Sequence, residues 1–283
     1  MLNVDLHCHS LMSDGLLRPA DLVDRAHERG VDVLALTDHD ELGGLAEARG
    51  RALETGLHLI NGVEISVTWE GTTIHVVGLQ IDAENAALKN GLAALRAGRL
   101  ERAEKMAAGL DAAGITGSLA GARAHAENSA ILGRTHFARF LVEHGHATDV
   151  RNVFQRFLTR GKPGYAAHRW ASLRDAVDWI RGAGGMAVIA HPGRYKLGVS
   201  EMRRFLAEFR ELGGEGVEVV TGSHSEEQYS QYATLAVEFG LLASRGSDFH
   251  GPGESRVELG KLPDLPGHLT PVWRDWNLAA SGQ

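Results

Sequence analysis

The stretch Val4-Asp5-Leu6-His7-Cys8-His9-Ser10-Leu11-Met12-Ser13-Asp14-Gly15 decides the reading of this chain. Apolar Val4, Leu6 and Cys8 alternate with Asp5, His7 and His9. On a strand, that period of two places two imidazoles and a carboxylate on one face. Asp14 follows a polar turn and can bring a second carboxylate back to the same place. An apolar face behind and His/Asp donors in front is how a strand presents ligands to a divalent cation.

Outward from this stretch, strands and helices alternate. A helix is expected over Ala20 to Arg29, set by Pro19 and Gly30, then a buried strand over Val31 to Leu36 that runs into Thr37-Asp38-His39-Asp40. A helix from Leu42 to Thr55 follows, then a strand from Leu57 to Ile60 leading to Asn61-Gly62-Val63-Glu64, and a strand from Thr72 to Ile81 carrying His75. Between about residues 83 and 161 the strand pattern gives way to Ala-, Leu-, Arg- and Glu-rich segments, read as an inserted helical domain. Its helices are expected over Ala86 to Ala113, Arg134 to His144 and Val150 to Leu158. Alternation then returns, with strands ending in His191-Pro192-Gly193-Arg194, in Thr221-Gly222-Ser223-His224 and in Gly246-Ser247-Asp248-Phe249-His250. The division is therefore 1–82 with 162–283 as a barrel domain and 83–161 as a cap. In closed parallel barrels the reacting groups sit at the C-terminal ends of strands, where nearly every His/Asp/Glu cluster falls here.

Composition narrows the function. A net charge of -7 offers no general basic surface, so a long duplex is not an expected partner and any nucleic-acid substrate should be short. No apolar run is long enough to cross a membrane and no charged-then-apolar leader opens the sequence, so a cytoplasmic location is expected, with no membrane and no obligate protein partner. The lone Cys8 leaves no internal disulfide and reads as a small core residue. A Walker loop is excluded, since Pro163 follows Gly161-Lys162 and Arg156 stands where its first glycine belongs.

Nine residues gather the metal-binding chemistry: His7, His9, Asp14, His39, Glu64, His75, His191, Asp248 and His250. In His7-Cys8-His9, Thr37-Asp38-His39, Gly62-Val63-Glu64, His75, His191 and Asp248-Phe249-His250, the chain resembles the polymerase-and-histidinol-phosphatase (PHP) superfamily. The resemblance implies an α/β fold, a distorted seven-stranded β/α barrel with an inserted helical cap, and three divalent metal ions. Manganese is the first expectation, with zinc, iron or magnesium as alternatives. It assigns His7, His9, Glu64 and Asp248 to one ion, Glu64, His75 and His191 to a second, and Asp14, His39 and His250 to a third. Asp5, Asp38 and Asp40 are expected either to hold ligating imidazoles from behind or to serve as solvated or capping residues.

Such ions suit hydrolysis of a phosphate ester, activating the attacking hydroxide and neutralising the leaving alkoxide. Specificity should come from the cap. Arg99 and Arg102 share a helix face, and Gly133-Arg134-Thr135-His136 opens a helix whose amides and guanidinium can clasp a phosphate. Arg194 is expected to stabilise charge on the transferred phosphoryl group, and His224 either to act as proton donor or phosphate contact or to be structural. With Gly98-Arg99-Leu100-Glu101-Arg102, Arg134-Thr135-His136-Phe137-Ala138-Arg139 and Ala190-His191-Pro192-Gly193-Arg194-Tyr195, the chain looks closest to the 3′,5′-nucleoside bisphosphate phosphatase branch, relatives of the ribonuclease AM type that trim short RNA from the 5′ end. The expected substrate is a small phosphorylated nucleotide such as adenosine 3′,5′-bisphosphate (pAp), losing its 3′-phosphate. The alternatives are 5′-to-3′ exonuclease action on short 5′-phosphorylated RNA, histidinol-phosphate hydrolysis, or a non-catalytic metal-binding domain.

Overall fold

A computed structural model describes residues 2–278. Seven strands lie side by side in chain order: β1 (Val4–Cys8), β2 (Val33–Leu36), β3 (His58–Trp69), β4 (Thr72–Leu79), β5 (Met186–Ile189), β6 (Gly216–Thr221) and β7 (Leu242–Gly246). The sheet curls until the segment after β7 meets β1, where His9 N–H donates to the Phe249 carbonyl and Asp248 N–H to the His7 carbonyl, each at 2.8 Å. The result is the seven-stranded α/β barrel, and its distortion has a definite source. β4 runs antiparallel to both β3 and β5, while the other neighbours are parallel.

The β3–β4 hairpin corrects the expectation of a short strand ending at Ile60. Glu70 and Gly71 form a two-residue turn with φ of 44° and 78°, the twist that matches a right-handed hairpin. Val63, Ile65, Val67 and Trp69 alternate into the apolar core, so Glu64 sits within a long strand rather than in a loop beyond a short one. Asn61-Gly62 reads as a turn in sequence, yet Gly62 is there for close packing: a Cβ would stand 2.6 Å from Thr37 Cγ2 and 2.9 Å from the Leu36 carbonyl oxygen.

Simple alternation also fails in β1. Its pairing with β2 shifts register between Asp5 and Cys8. Val4 and Leu6 pack with Val33, Ala35 and Val272, whereas Cys8 joins Leu34 and Leu36 beneath helices α1 (Pro19–Glu28) and α2 (Leu45–Thr55). The start of α2 moves from the expected Leu42 to Leu45, after Gly43-Gly44.

The insert comprises α3 (Ala86–Ala112), α4 (Ser118–Ala124), α5 (Arg134–Glu143) and α6 (Val150–Val153), the last running into a π-helical turn over Phe154–Leu158. These elements enclose their own apolar cluster, with Met106, Leu110, Phe137, Leu141 and Leu158 fully or almost fully buried. α3 serves both cores: Leu88, Leu92 and Leu95 pack in the barrel cluster and Ala103, Met106 and Leu110 in that of the insert. α7 (Leu173–Gly182), α8 (Val199–Glu211) and α9 (Glu226–Glu238) complete the barrel's outer layer, and Val272, Trp273 and Trp276 pack against its other end. No helix among the described residues is long and apolar enough to cross a membrane.

Candidate metal centre and anion pocket

All nine candidate ligands converge at one end of the barrel. Glu64, with no exposed surface, is the hub. Its Oε1 lies 2.8 Å from His75 Nδ1, 2.9 Å from His191 Nε2 and 3.5 Å from His7 Nε2; its Oε2 lies 2.7 Å from His39 Nδ1 and 3.5 Å from His9 Nε2. Asp248 Oδ1 stands 3.3 Å from His9 Nε2 and 3.5 Å from His7 Nε2. Asp14 Oδ1 faces His250 at 3.3 Å and His39 at 3.8 Å. The donor atoms form overlapping sets within 4.8 Å: His9, Asp14, His39 and His250; His7, His191 and Asp248; His7, His9 and Glu64; His39, Glu64 and His75. His9 thus stands with the Asp14 group as well as with His7, a wider sharing than the partition expected from sequence.

The backbone is bent to bring these side chains in. His191, Asp248 and Asp40 adopt φ of 27°, 56° and 50°, left-handed values that side-chain-bearing residues take only when their surroundings enforce them.

The donor set fits divalent cations. His7 Nε2 and His9 Nε2 are 3.1 Å apart, a spacing at which two lone pairs repel and at most one nitrogen carries a proton. Asp14 Oδ1 and His191 Nδ1 are buried without a hydrogen-bond partner, and the 2.7 Å approach of His39 Nδ1 to Glu64 Oε2 is not aligned as a hydrogen bond, a costly state that a cation held among the nine side chains would relieve. Burial opposes ionisation of Asp14, Glu64 and Asp248, but the surrounding imidazoles outweigh it and hold all three well below the usual carboxylate range. Burial, reinforced by His250 and His39, takes His9 down to about 3; burial and Arg194 do the same to His191. His250 goes the other way, to about 9, because Asp14 and Asp248 overcome its burial. Imidazole and carboxylate donors of this kind suit manganese, iron or zinc.

The supporting contacts differ from those expected. Asp5 accepts from the backbone of Ser247 at 2.8 Å, and Asp38 accepts from Ser10 N–H and from the Ser10 and Ser13 hydroxyls at 2.6–2.7 Å, shaping the loop between His9 and Asp14. Asp40 accepts from Ser66 N–H and Arg99. None of the three makes a hydrogen bond to an imidazole among the described residues. That place belongs to Glu218, which lies 2.7 Å from His7 Nδ1 and accepts from His191 N–H at 2.6 Å. Held by Glu218, His7 keeps its proton on Nδ1 and turns the lone pair of Nε2 into the centre. Its signal in the sequence is a single acid inside the apolar run Val217-Glu218-Val219-Val220.

The cap closes over this centre and is tied to it. Thr135 Oγ1 donates to Asp14 at 2.8 Å, Arg139 donates to the Asp14 carbonyl at 2.6 Å and to Glu254, and Arg96 donates to the Asp40 carbonyl at 2.8 Å. Between cap and barrel lies a cavity of about 90 Å³ walled by Arg99, Arg102, Arg134, Trp170 and Arg194. Its arginines are not equivalent. Arg99 is bonded to Asp40 at 2.5 and 2.9 Å and to Ser66 at 2.9 Å, so its charge is largely answered. Arg102 donates only to the Ala166 carbonyl and lies over Trp170, and Arg134 lies over Phe154, with no carboxylate paired to either among the described residues. Burial, then Arg134 and Arg99, push Arg102 down to about 9, the mark of buried positive charge that lacks an anion. The Gly133 amide expected to reach a phosphate instead donates to His136 Nδ1 at 3.1 Å.

Arg194, half exposed, donates to Asp248 at 2.9 Å at the mouth of the site. His224 does not fill the role of proton donor or phosphate contact. Its Nε2 accepts from Gly193 N–H at 2.9 Å, its Nδ1–H donates to the Val219 carbonyl at 3.1 Å, and its ring stacks on Tyr232. Both nitrogens are committed to backbone; burial takes its pKa to about 4, and it fixes the His191–Arg194 turn as a neutral imidazole.

Among characterised proteins, the chain is 52% identical to a 3′,5′-nucleoside bisphosphate phosphatase of Chromobacterium violaceum over 97% of its own length and 96% of the relative's. It is 44% identical to the 5′-3′ exoribonuclease Rnm of Escherichia coli, covering 96% of this chain and 93% of that one. Its backbone superposes with a TM-score of 0.94 on the structure of an amidohydrolase from Chromobacterium violaceum with bound sulfate and no metal, at 52% identity over 99% of this chain and 96% of that one. Residues 5–221 match the PHP domain, a span that holds seven of the nine converging side chains and the whole cap, and with these likenesses it shows that the chain belongs to the PHP family.

Proposed function

We propose that this PHP-family phosphoesterase removes the 3′-phosphate of a 3′,5′-nucleoside bisphosphate such as pAp, leaving the 5′-phosphorylated nucleoside. The observation that carries the reading is the pairing of a cation-seeking cluster with a cavity whose Arg102 and Arg134 have no carboxylate of their own. One substrate phosphate meets the cluster and the other meets the guanidiniums. The 52% identity to a bisphosphate phosphatase supports the same substrate class.

The nine side chains would hold three divalent ions, manganese first among them. When bound, such ions activate water and neutralise charge on the phosphoryl oxygens and the leaving oxygen. The chain's own residues do the rest. Glu218 and the backbone around His224 fix the imidazoles; Thr135 fixes Asp14. Arg194 stands where it can donate to a phosphoryl oxygen, and Arg102 and Arg134 anchor the 5′-phosphate so that the 3′-phosphorus is carried to the cluster of imidazoles and carboxylates. A water oxygen bonds to phosphorus, the P–O3′ bond breaks, and O3′ takes up a proton.

A 5′-phosphorylated RNA presents the same P–O3′ bond after its first nucleotide, and the 44% identity to an exoribonuclease favours that as a second activity of one site. The test is product identification after incubating Mn²⁺-loaded enzyme with pAp. Adenosine 5′-phosphate with inorganic phosphate is expected; adenosine 3′-phosphate, or no turnover, contradicts the assignment.

A further inference from the structure

A second cavity, of about 250 Å³, adjoins the arginine pocket. Thr135, Phe154, Arg194 and His250 line both and so form the wall between them. Beyond that wall the lining changes character. Val150, with Phe154 of the shared wall, gives it an apolar flank, and Ser223 lines it with a hydroxyl that is itself buried and has no hydrogen-bond partner. Arg256 stands exposed at its edge. The carboxylates on this wall, Glu254 and Asp248, are already held by Arg139 and Arg194, so the Arg256 charge is not cancelled there.

Apart from Thr135, Arg194, Asp248 and His250 at its inner wall, this cavity has no assigned contact in the hydrolysis of pAp. With the 5′-phosphate among Arg102 and Arg134, the nucleoside lies on the arginine side, and a terminal phosphate needs room only for its oxygens. A phosphodiester is different. Its O5′ substituent leaves phosphorus in another direction from O3′ and must have somewhere to go. We propose that the cavity lined by Val150, Phe154, Ser223 and Arg256 receives the nucleotide on the O5′ side of the scissile phosphate, making it the subsite that extends the reaction from bisphosphates to short RNA. The base packs against the apolar flank and Arg256 meets the following phosphate. The chemistry is unchanged: water oxygen bonds to phosphorus, P–O3′ breaks, O3′ is protonated, and the remainder leaves with the phosphate on its O5′. The π-helical turn that carries Phe154 thus stands between two substrate arms.

This inference rests on the reading of the arginine pocket above, and the test separates the two. Turnover of pAp and of 5′-phosphorylated tri-adenylate is measured for the wild type, Arg256→Glu, Arg256→Lys and Ser223→Leu, with melting temperatures to verify folding. The expected result for Arg256→Glu is a kcat/KM on the trinucleotide lower by ~10-fold or more, with pAp turnover within ~2-fold of wild type and Arg256→Lys restoring most of the loss. Ser223→Leu, which fills the cavity, lowers trinucleotide turnover in the same selective way. Equal losses on both substrates, or no loss from either variant, overturn the proposal. Wild-type cleavage of pAp alone overturns it too while leaving the bisphosphatase reading intact; failure on both substrates removes that reading as well.

Discussion

The barrel mouth and the cap face each other across one cavity and solve opposite electrostatic problems. On the barrel side, six imidazoles and three carboxylates crowd within a few ångströms, bury their lone pairs and satisfy one another incompletely. On the cap side, buried Arg102 and half-buried Arg134 have no carboxylate partner among the described residues, while Arg99 is neutralised by Asp40. One surface lacks cations and the other lacks anions. On the proposed reading, divalent ions and a phosphate ester with a second phosphate complete both, and neither surface alone specifies that substrate. The cap's links to Asp14 and Asp40 keep the two surfaces in register.

The contrast can be broken from the barrel side first. Glu64→Gln removes the carboxylate charge at the hub, and both bound metal, read by elemental analysis, and kcat on pAp should fall by more than the roughly 10–100-fold typical of residues behind the ligands. Glu218→Gln should show that smaller loss, roughly 10–100-fold in metal affinity or activity, with partial recovery in excess Mn²⁺. A drop no larger for Glu64→Gln than for Glu218→Gln would mean that Glu64 is not the hub.

The smallest expected effect concerns stability. Burial takes His224 from its ordinary value of 6.5 to about 4, so the folded protein keeps it neutral where the unfolded chain is already protonated. Its contribution is present above pH 6.5 and is lost as pH falls from there toward 4, by at most about 1.4 kcal/mol per pH unit. In the chelated protein, the melting temperature of the wild type should therefore fall more steeply between pH 6.5 and 4 than that of His224→Asn. Parallel slopes would remove His224 from the account of how the His191–Arg194 turn is held.

Much of the barrel side was legible because its motifs are local. His7-Cys8-His9, Thr37-Asp38-His39 and Asp248-Phe249-His250 each concentrate donors within three residues next to an apolar strand, a pattern that survives errors in strand boundaries. Period-of-two reasoning failed where the backbone departs from it: the β1 register shift gives no residue-level signal, and Asn61-Gly62 looks like a turn although its glycine serves a close approach of strands. The supporting residues were hidden for another reason. Asp40 and Arg99 are 59 residues apart and His7 and Glu218 are 211 apart, so no spacing rule joins them. His224 illustrates the converse. Its place at a strand end suggested chemistry, and only the geometry of Gly193 and Val219 reveals that both ring nitrogens are occupied.

The most direct measurement compares kcat/KM for pAp and for adenosine 3′-phosphate, which lacks only the 5′-phosphate, in the Mn²⁺-loaded wild type and in Arg134→Ala. If the cap holds the 5′-phosphate, the wild type prefers pAp by ~10-fold or more and Arg134→Ala loses most of that preference through KM, leaving hydrolysis of adenosine 3′-phosphate nearly unchanged. A preference that survives in Arg134→Ala, or equal losses on the two substrates, would contradict the division of labour between barrel and cap.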